Sequence, residues 1–353
     1  MKKNTNLSLQ ARNRLIRRNR NGKNRKKSPK KEQKDKKSIS DNPYNRNSKK
    51  TLKKIDLPKN FDLHENTDTT LALMCQFRKI VDKDNPRLQK LNFDDIEQIN
   101  PSSALMLVAE LDVWNIKSNN RLSSNHKTWH ADIKSLLSEM GLFELLKLPP
   151  LENNSSTNDT TFLKFISGKN SEGEKAKQLR ENIERVIGKS LEQKLHLFDG
   201  LTEAFTNTTQ HAYDKDNSKE FDKWWITASY KQGDKKLIVS MYDRGNSIPT
   251  TMYTNKKWFW LDERKNTKHS ELIRIAMETS FKNKNTRTKT KEPNRGKGLK
   301  QLLDFVKNQG RLTIVSNKGY CSFQVENEKL TTTQQKELKY PLQGTLIEWQ
   351  INV

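Results

Sequence analysis

Residues 203 to 211 read Glu-Ala-Phe-Thr-Asn-Thr-Thr-Gln-His, which sets an acid, an amide and an imidazole (Glu203, Asn207 and His211) four residues apart. At about 100° per residue on a helix the three fall along one stripe, while Leu201, Phe205, Thr208 and Ala212 gather on the other side. Groups of these types on one surface can exchange protons and hold polar ligands. The competing reading is a solvated helix face. Lys and Arg supply 67 of the 353 residues, yet none falls between Leu195 and Asp214. A merely solvated face in so basic a chain should carry lysines, so the stripe reads as a functional surface.

Two glycine-bearing segments follow in order. Leu237-Ile-Val-Ser-Met-Tyr-Asp-Arg-Gly-Asn-Ser-Ile-Pro249 is an apolar run of strand character that ends in Asp243 and the turn glycine Gly245. Asn294-Arg-Gly-Lys-Gly-Leu299 opens a helical pattern through Leu302, Leu303 and Val306 that stops at Gly310. Glycines ahead of a helix let backbone N–H groups approach an anion, and the helix dipole favours negative charge there. Gly344-Thr345 then begins a final strand, Leu346 to Ile351.

The order Glu…Asn…His, Asp-x-Gly, Arg-Gly-Lys-Gly-Leu and Gly-Thr resembles the N, G1, G2 and G3 boxes of the GHKL superfamily of ATPases and kinases. The nearest likeness is to the anti-sigma-factor serine kinases, and it covers about residues 190 to 353. A Bergerat-type α/β sandwich that binds ATP with Mg²⁺ is what the resemblance implies. Asn207 would then ligate Mg²⁺ through its side-chain oxygen, and Glu203 would act as the base toward the attacking water or hydroxyl. Asp243 would accept a hydrogen bond from the adenine amino group, with Thr345 backing it through a water or its hydroxyl. Gly245 and Ile248 would pass close to the base, and Arg295, Gly296, Lys297, Gly298 and Leu299 would surround the phosphates. His211 would either touch the nucleotide or pack beside the metal site, and Lys297 is either a phosphate contact or a surface lysine.

One position departs from the family pattern, since Ser247 stands where the second glycine of the G1 box usually falls. If the site needs positive φ, serine is strained there by about 1 kcal/mol. Residues 250 to 293, with the basic run Lys282 to Lys291, match the family's ATP lid in position; a plain insertion is the alternative.

Residues 1 to 54 hold 21 Lys or Arg against Glu32, Asp35 and Asp41, a surplus of 18 out of the chain's net +25. Nearly the only aliphatics before Ile39 are Leu7, Leu9, Leu15 and Ile16, too few to offset chain entropy, so a disordered basic arm suited to nucleic-acid phosphates is expected. The arm lacks the apolar stretch of a secretory signal, no run approaches a membrane span, and Cys75 and Cys321 are too few for a disulfide framework or zinc site. A cytoplasmic location is the simplest expectation.

Residues 55 to 148 form a second candidate domain, with helices expected at Leu71–Val81, Ser102–Trp114 and around Trp129–Leu146, and a strand at Gln89–Ile96. The strand, the turn Ile99 to Ala104 and the apolar helix weakly resemble a STAS domain, whose phosphorylatable serine would map to Ser102 or Ser103; a helix cap is the competing role. Residues 149 to 160 read as a linker, and 161 to 353 as the ATP-binding domain, beginning with a strand at Phe162–Ile166 and a charged helix at Gly173–Ile187.

The expected function is Mg-dependent ATP binding with slow hydrolysis, the nucleotide state controlling an unidentified protein partner. A serine or threonine protein kinase of the anti-sigma type is one alternative. A nucleic-acid-binding adaptor with a degenerate nucleotide site is the other.

Overall fold

The apolar residues of the N-terminal region fall mainly on two helices, α1 (Thr67–Val81) and α2 (Pro101–Lys117). Around them lie β1 (Lys53–Asp56), β2 (Asn60–Phe61), β3 (Leu88–Asn92), β4 (Gln98–Ile99), α3 (Ala131–Glu139) and α4 (Leu142–Leu145). In this computed structural model the described residues are 53–83, 88–118, 122, 126–151, 159–170, 172–191, 194–213, 219–254, 267–282 and 298–353. Residues 51–353 make one compact unit. The two short strand pairs, β1 with β3 and β2 with β4, are parallel. Helix α2 is buried almost all round, as its unbroken Ala-Leu-Met-Leu-Val-Ala run requires. The helix expected over 129–146 is two helices instead, because Gly141 takes φ 95° and turns the chain between them.

The remaining chain builds one antiparallel sheet from β5 (Thr160–Phe162), β6 (Ile166–Gly168), β7 (Trp224–Lys231), β8 (Lys236–Asp243), β9 (Gly310–Glu326) and β10 (Lys329–Asn352). Its order is β5-β7-β8-β10-β9, with β6 also on β7. The long β9 doubles back near Asn317, φ 53°, which brings Thr313 Oγ1 and Ser322 Oγ to 2.9 Å. The helices of this half are α5 (Gly173–Ile187), α6 (Lys194–Asn207), α7 (Ile248–Thr254), α8 (His269–Lys282) and α9 (Gly298–Asp304). The fold is therefore mixed α/β.

Both faces of the sheet are covered, which explains why β7 and β8 read as continuous apolar runs rather than alternating ones. Successive side chains point to opposite faces. Trp224 stacks on Phe205 of α6 at 4.0 Å between ring centroids, while its neighbour Trp225 donates to Asp112 of α2 at 3.0 Å. On the Trp224 side, Leu201, Phe205, Leu302, Trp349 and Ile351 share one core. On the Trp225 side, Tyr242, Leu346 and Val315 share another with Phe61, Met74, Leu105 and Ala109. The N-terminal helices thus form one outer layer and α5, α6 and α9 belong to the other. Among the described residues, no helix is long and apolar enough to cross a membrane.

Candidate functional site

Helix α6 carries Glu203 and Asn207, and then widens into a π-turn over Thr208–Ala212. Three threonines explain the local distortion: Thr206, Thr208 and Thr209 each donate their hydroxyls to the carbonyl four residues back. Glu203 and Asn207 remain side by side and half-buried, and His211 lies beyond them on the widened turn, exposed. Burial raises the Glu203 carboxyl above its usual range, an effect partly offset by the Asn207 side chain. The Asn207 Nδ2 is itself buried and meets no acceptor at hydrogen-bonding geometry. An orphaned amide N–H of this kind marks a place where the fold leaves a donor for an acceptor to satisfy.

Asp243 ends β8 with its side chain only 6% exposed. Its Oδ1 accepts from Gly245 N at 2.8 Å, and burial pushes the carboxyl up to about 7 against the pull of the Gly245 and Thr345 backbone N–H groups. In the ladder Thr345 stands directly opposite Asp243. Thr345 contacts Asp243 through its backbone, because its hydroxyl is engaged elsewhere, with Ser316 Oγ at 2.9 Å. Two glycines are required by this junction. Gly344 has φ 93°, and a Cβ there would strike the Asp243 carbonyl. A Cβ on Gly245 would collide with the Ala212 carbonyl, to which Asn246 N donates at 2.6 Å. The loop after β8 is thereby locked onto the end of the Glu203–Asn207 helix.

Ser247 is not strained. The described non-glycine residues with positive φ are Lys147, Lys235, Asn308, Asn317, Asn327 and Glu328, so the expected cost does not arise. The side chain caps α7: its Oγ lies 2.7 Å from Thr250 Oγ1 and 3.3 Å from Thr250 N. Ile248, half-buried, donates its N–H to Ser316 Oγ at 2.9 Å. Gly298 and Leu299 open α9, whose contact with α6 is close enough that a Cβ on Gly200 would lie 3.3 Å from the Gln301 carbonyl. Arg295, Gly296 and Lys297 lie outside the described residues, as do 255–266 and 283–293 of the expected lid and residues 1–52 of the expected arm, whose last two residues, Lys53 and Lys54, open β1.

Several residues that hold the site were not singled out from the sequence. Arg244, between Asp243 and Gly245, is 6% exposed and grips Glu110 of α2 with two bonds, Nε to Oε1 at 2.9 Å and Nη2 to Oε2 at 3.0 Å. Arg78 of α1 joins them, donating to Glu110 Oε1 at 3.1 Å and to the Arg244 carbonyl at 2.9 Å. Burial would raise Asp82, but Arg78 and Arg244 hold it below its ordinary value. Tyr213 OH accepts from Arg244 N at 2.9 Å and donates to the Lys223 carbonyl at 2.6 Å. Two acids, Glu110 and Asp112, inside the otherwise apolar run 104–114 were the signal available.

Ser102 and Ser103 are fully buried at the start of α2. Asn100 is the cap, accepting from Ser103 N at 2.7 Å. Ser102 bonds Ser240 Oγ at 2.8 Å and also Glu348 on the sheet. Neither serine is presented to a phosphorylating partner in this arrangement.

No protein-family model matches the sequence, and no curated protein matches it.

Proposed function

We propose that the chain is a GHKL-type protein that binds ATP with Mg²⁺ and hydrolyses it slowly, the nucleotide state acting on a protein partner. The observation that carries this reading is the junction at Asp243. Gly245 after β8 and Thr345 on β10 turn backbone N–H groups to one buried carboxylate, and Ala212 at the end of the Asn207 helix holds the loop that carries Gly245. An acceptor so placed, with N–H groups fixing its orientation, suits recognition of an exocyclic amino group such as that of adenine.

The residues present also fit a hard cation. Among the described residues no group of three or more His, Cys, Asp or Glu could hold a metal ion. A magnesium ion here would be held by the Asn207 side-chain oxygen together with ligand phosphates, with the orphaned Nδ2 free to donate to a phosphate oxygen, and when bound it would neutralise phosphate charge. Glu203, with its carboxyl raised by burial, is suited to take a proton from water. The capping role of Ser247 removes the feature that favoured a degenerate site. Incubation with γ-labelled ATP and Mg²⁺ tests the reading: released phosphate is expected, label on protein would favour a kinase, and untouched, unbound ATP would overturn the proposal.

A further inference from the structure

We propose a second ligand site, for a compact phosphate-bearing anion, in the cleft between His64 and the β9–β10 strands on the sheet face turned toward α2. The cleft encloses about 390 Å³ and is lined by His64, Arg311, Tyr320, Gln334, Gln335 and Lys336. It lies across the sheet from the Glu203 helix. Glu348, at its floor, points to Ser102 of α2, whereas the adjacent Trp349 points to the Leu302 carbonyl of α9 on the other side.

The charge in this cleft is unbalanced. Glu348 is already engaged by His64 Nε2 at 2.9 Å and by Ser102. Burial disfavours a charged His64, but Glu348 overcomes that and raises it, and Glu348 is in turn held low against its own burial by His64, Ser102 and Arg311. Two cations are left over, Arg311 half-buried and Lys336 exposed. Arg311 donates Nη2 to the neutral Gln350 Oε1 at 3.0 Å, and its Nε is buried with no acceptor. Lys336 Nζ donates to Thr67 Oγ1 at 3.1 Å and lies over the Tyr320 ring, 4.2 Å from its centroid, with Asp68 acting on it from beyond ion-pair distance. Among the described residues neither cation has a carboxylate within ion-pair distance.

A partly desolvated guanidinium with an unused N–H, lining one cleft with a more exposed ammonium, is a donor set that binds a tetrahedral oxyanion. The Gln334 side chain adds a neutral group to the lining, whereas Gln335 Nε2 is engaged by Glu271 Oε2 of α8 at 3.1 Å. The volume exceeds that of phosphate alone and admits a small phosphomonoester.

The test is calorimetry on the full chain with inorganic phosphate and, separately, glucose 6-phosphate, ionic strength being held constant with potassium chloride. Saturable binding is expected, weakened about tenfold or more in Lys336→Gln and in Arg311→Gln, the scale of a lost charge-assisted hydrogen bond. Asn207→Ala, across the sheet, should leave this isotherm unchanged. Tighter binding of the ester than of phosphate would assign the site to a phosphorylated metabolite, and the reverse order to free phosphate. Because Lys336 is on a strand margin with no ion pair to lose, its glutamine variant should fold even if the Arg311 variant does not. Wild-type affinity in folded Lys336→Gln, or no saturable binding by wild type, would overturn the site.

Discussion

The guanidinium of Arg244 and the carboxylate of Glu110 form a two-point, almost wholly buried ion pair between the loop after β8 and a helix that is 134 residues away in sequence. Arg244 is flanked by Asp243 and Gly245, so the pair fixes the backbone of the proposed adenine contact from the far side of the sheet. Arg78, donating both to Glu110 and to the Arg244 carbonyl, ties α1 into the same junction.

Breaking one partner of a buried pair strands the other charge. Glu110→Ala should cost about 3–5 kcal/mol of stability in urea denaturation, and Glu110→Gln less, since an amide oxygen can still accept one bond. Nucleotide affinity should fall in the glutamine variant even where the protein stays folded. A stability change within about 0.5 kcal/mol, the scale of an ordinary surface substitution, would show that the pair contributes nothing.

Asp243 gives a pH dependence of defined sign. Its carboxyl is raised from 3.8 to about 7 in the folded protein. The folded state therefore binds the extra proton between those values, and the stability this contributes is full below the lower one and lost as pH rises through about 7. Asp243→Asn should be more stable than wild type at pH 8, with the advantage shrinking toward pH 4, as read from denaturant midpoints. Adenine recognition runs the other way: the ionised carboxylate is the better acceptor, so wild-type ATP affinity should rise from pH 6 to 8. An affinity that is flat across this range would remove Asp243 from the contact.

Ser247→Gly should now destabilise rather than help. With no positive φ to relieve, glycine loses the cap on α7, where replacing a capping serine by glycine costs a few tenths of a kcal/mol. ATP affinity should stay at the wild-type level. Tighter binding in the glycine variant would mean that the serine obstructs the pocket.

The basic arm carries its own expectation. Full-length chain should bind nucleic acid with an affinity that falls steeply as salt rises, each neutralised phosphate having released counterions. A chain beginning at Ile55 should lose most of that binding. Equal binding by the two would place the interface within 55–353.

What could be read from the sequence was local. Helical spacing located Glu203 and Asn207, and turn chemistry located Gly245 and Gly344, because each depends on residues within a few positions. The π-turn that carries His211 arises from three threonine hydroxyls competing for helix carbonyls, which no periodicity argument records. The register that sets Thr345 against Asp243 is a property of the ladder between β8 and β10. Ser102 was legible as a residue at a helix start. Its burial against Ser240 and Glu348 depends on which sheet face α2 covers, and that is fixed only by the whole core.

The last expectation separates binding from chemistry on the helix itself. The Asn207 Nδ2 meets no acceptor at hydrogen-bonding geometry, so Asn207→Ala leaves no buried donor stranded and should cost the fold little. It should nonetheless weaken Mg·ATP binding, because the metal loses its one protein ligand in the proposed site. Glu203→Gln keeps the side-chain shape beside Asn207 and should leave binding largely intact while removing the base. Loss of a general base typically lowers the rate about 10²-fold to 10⁴-fold. Because burial raises the Glu203 carboxyl, wild-type turnover should fall as pH drops through that elevated value, and the glutamine variant should lose this acid limb. Calorimetric affinity and phosphate release, measured on wild type and both variants, decide it: unchanged release in Glu203→Gln would exclude Glu203 as the base, and unchanged affinity in Asn207→Ala would exclude Asn207 as the metal ligand.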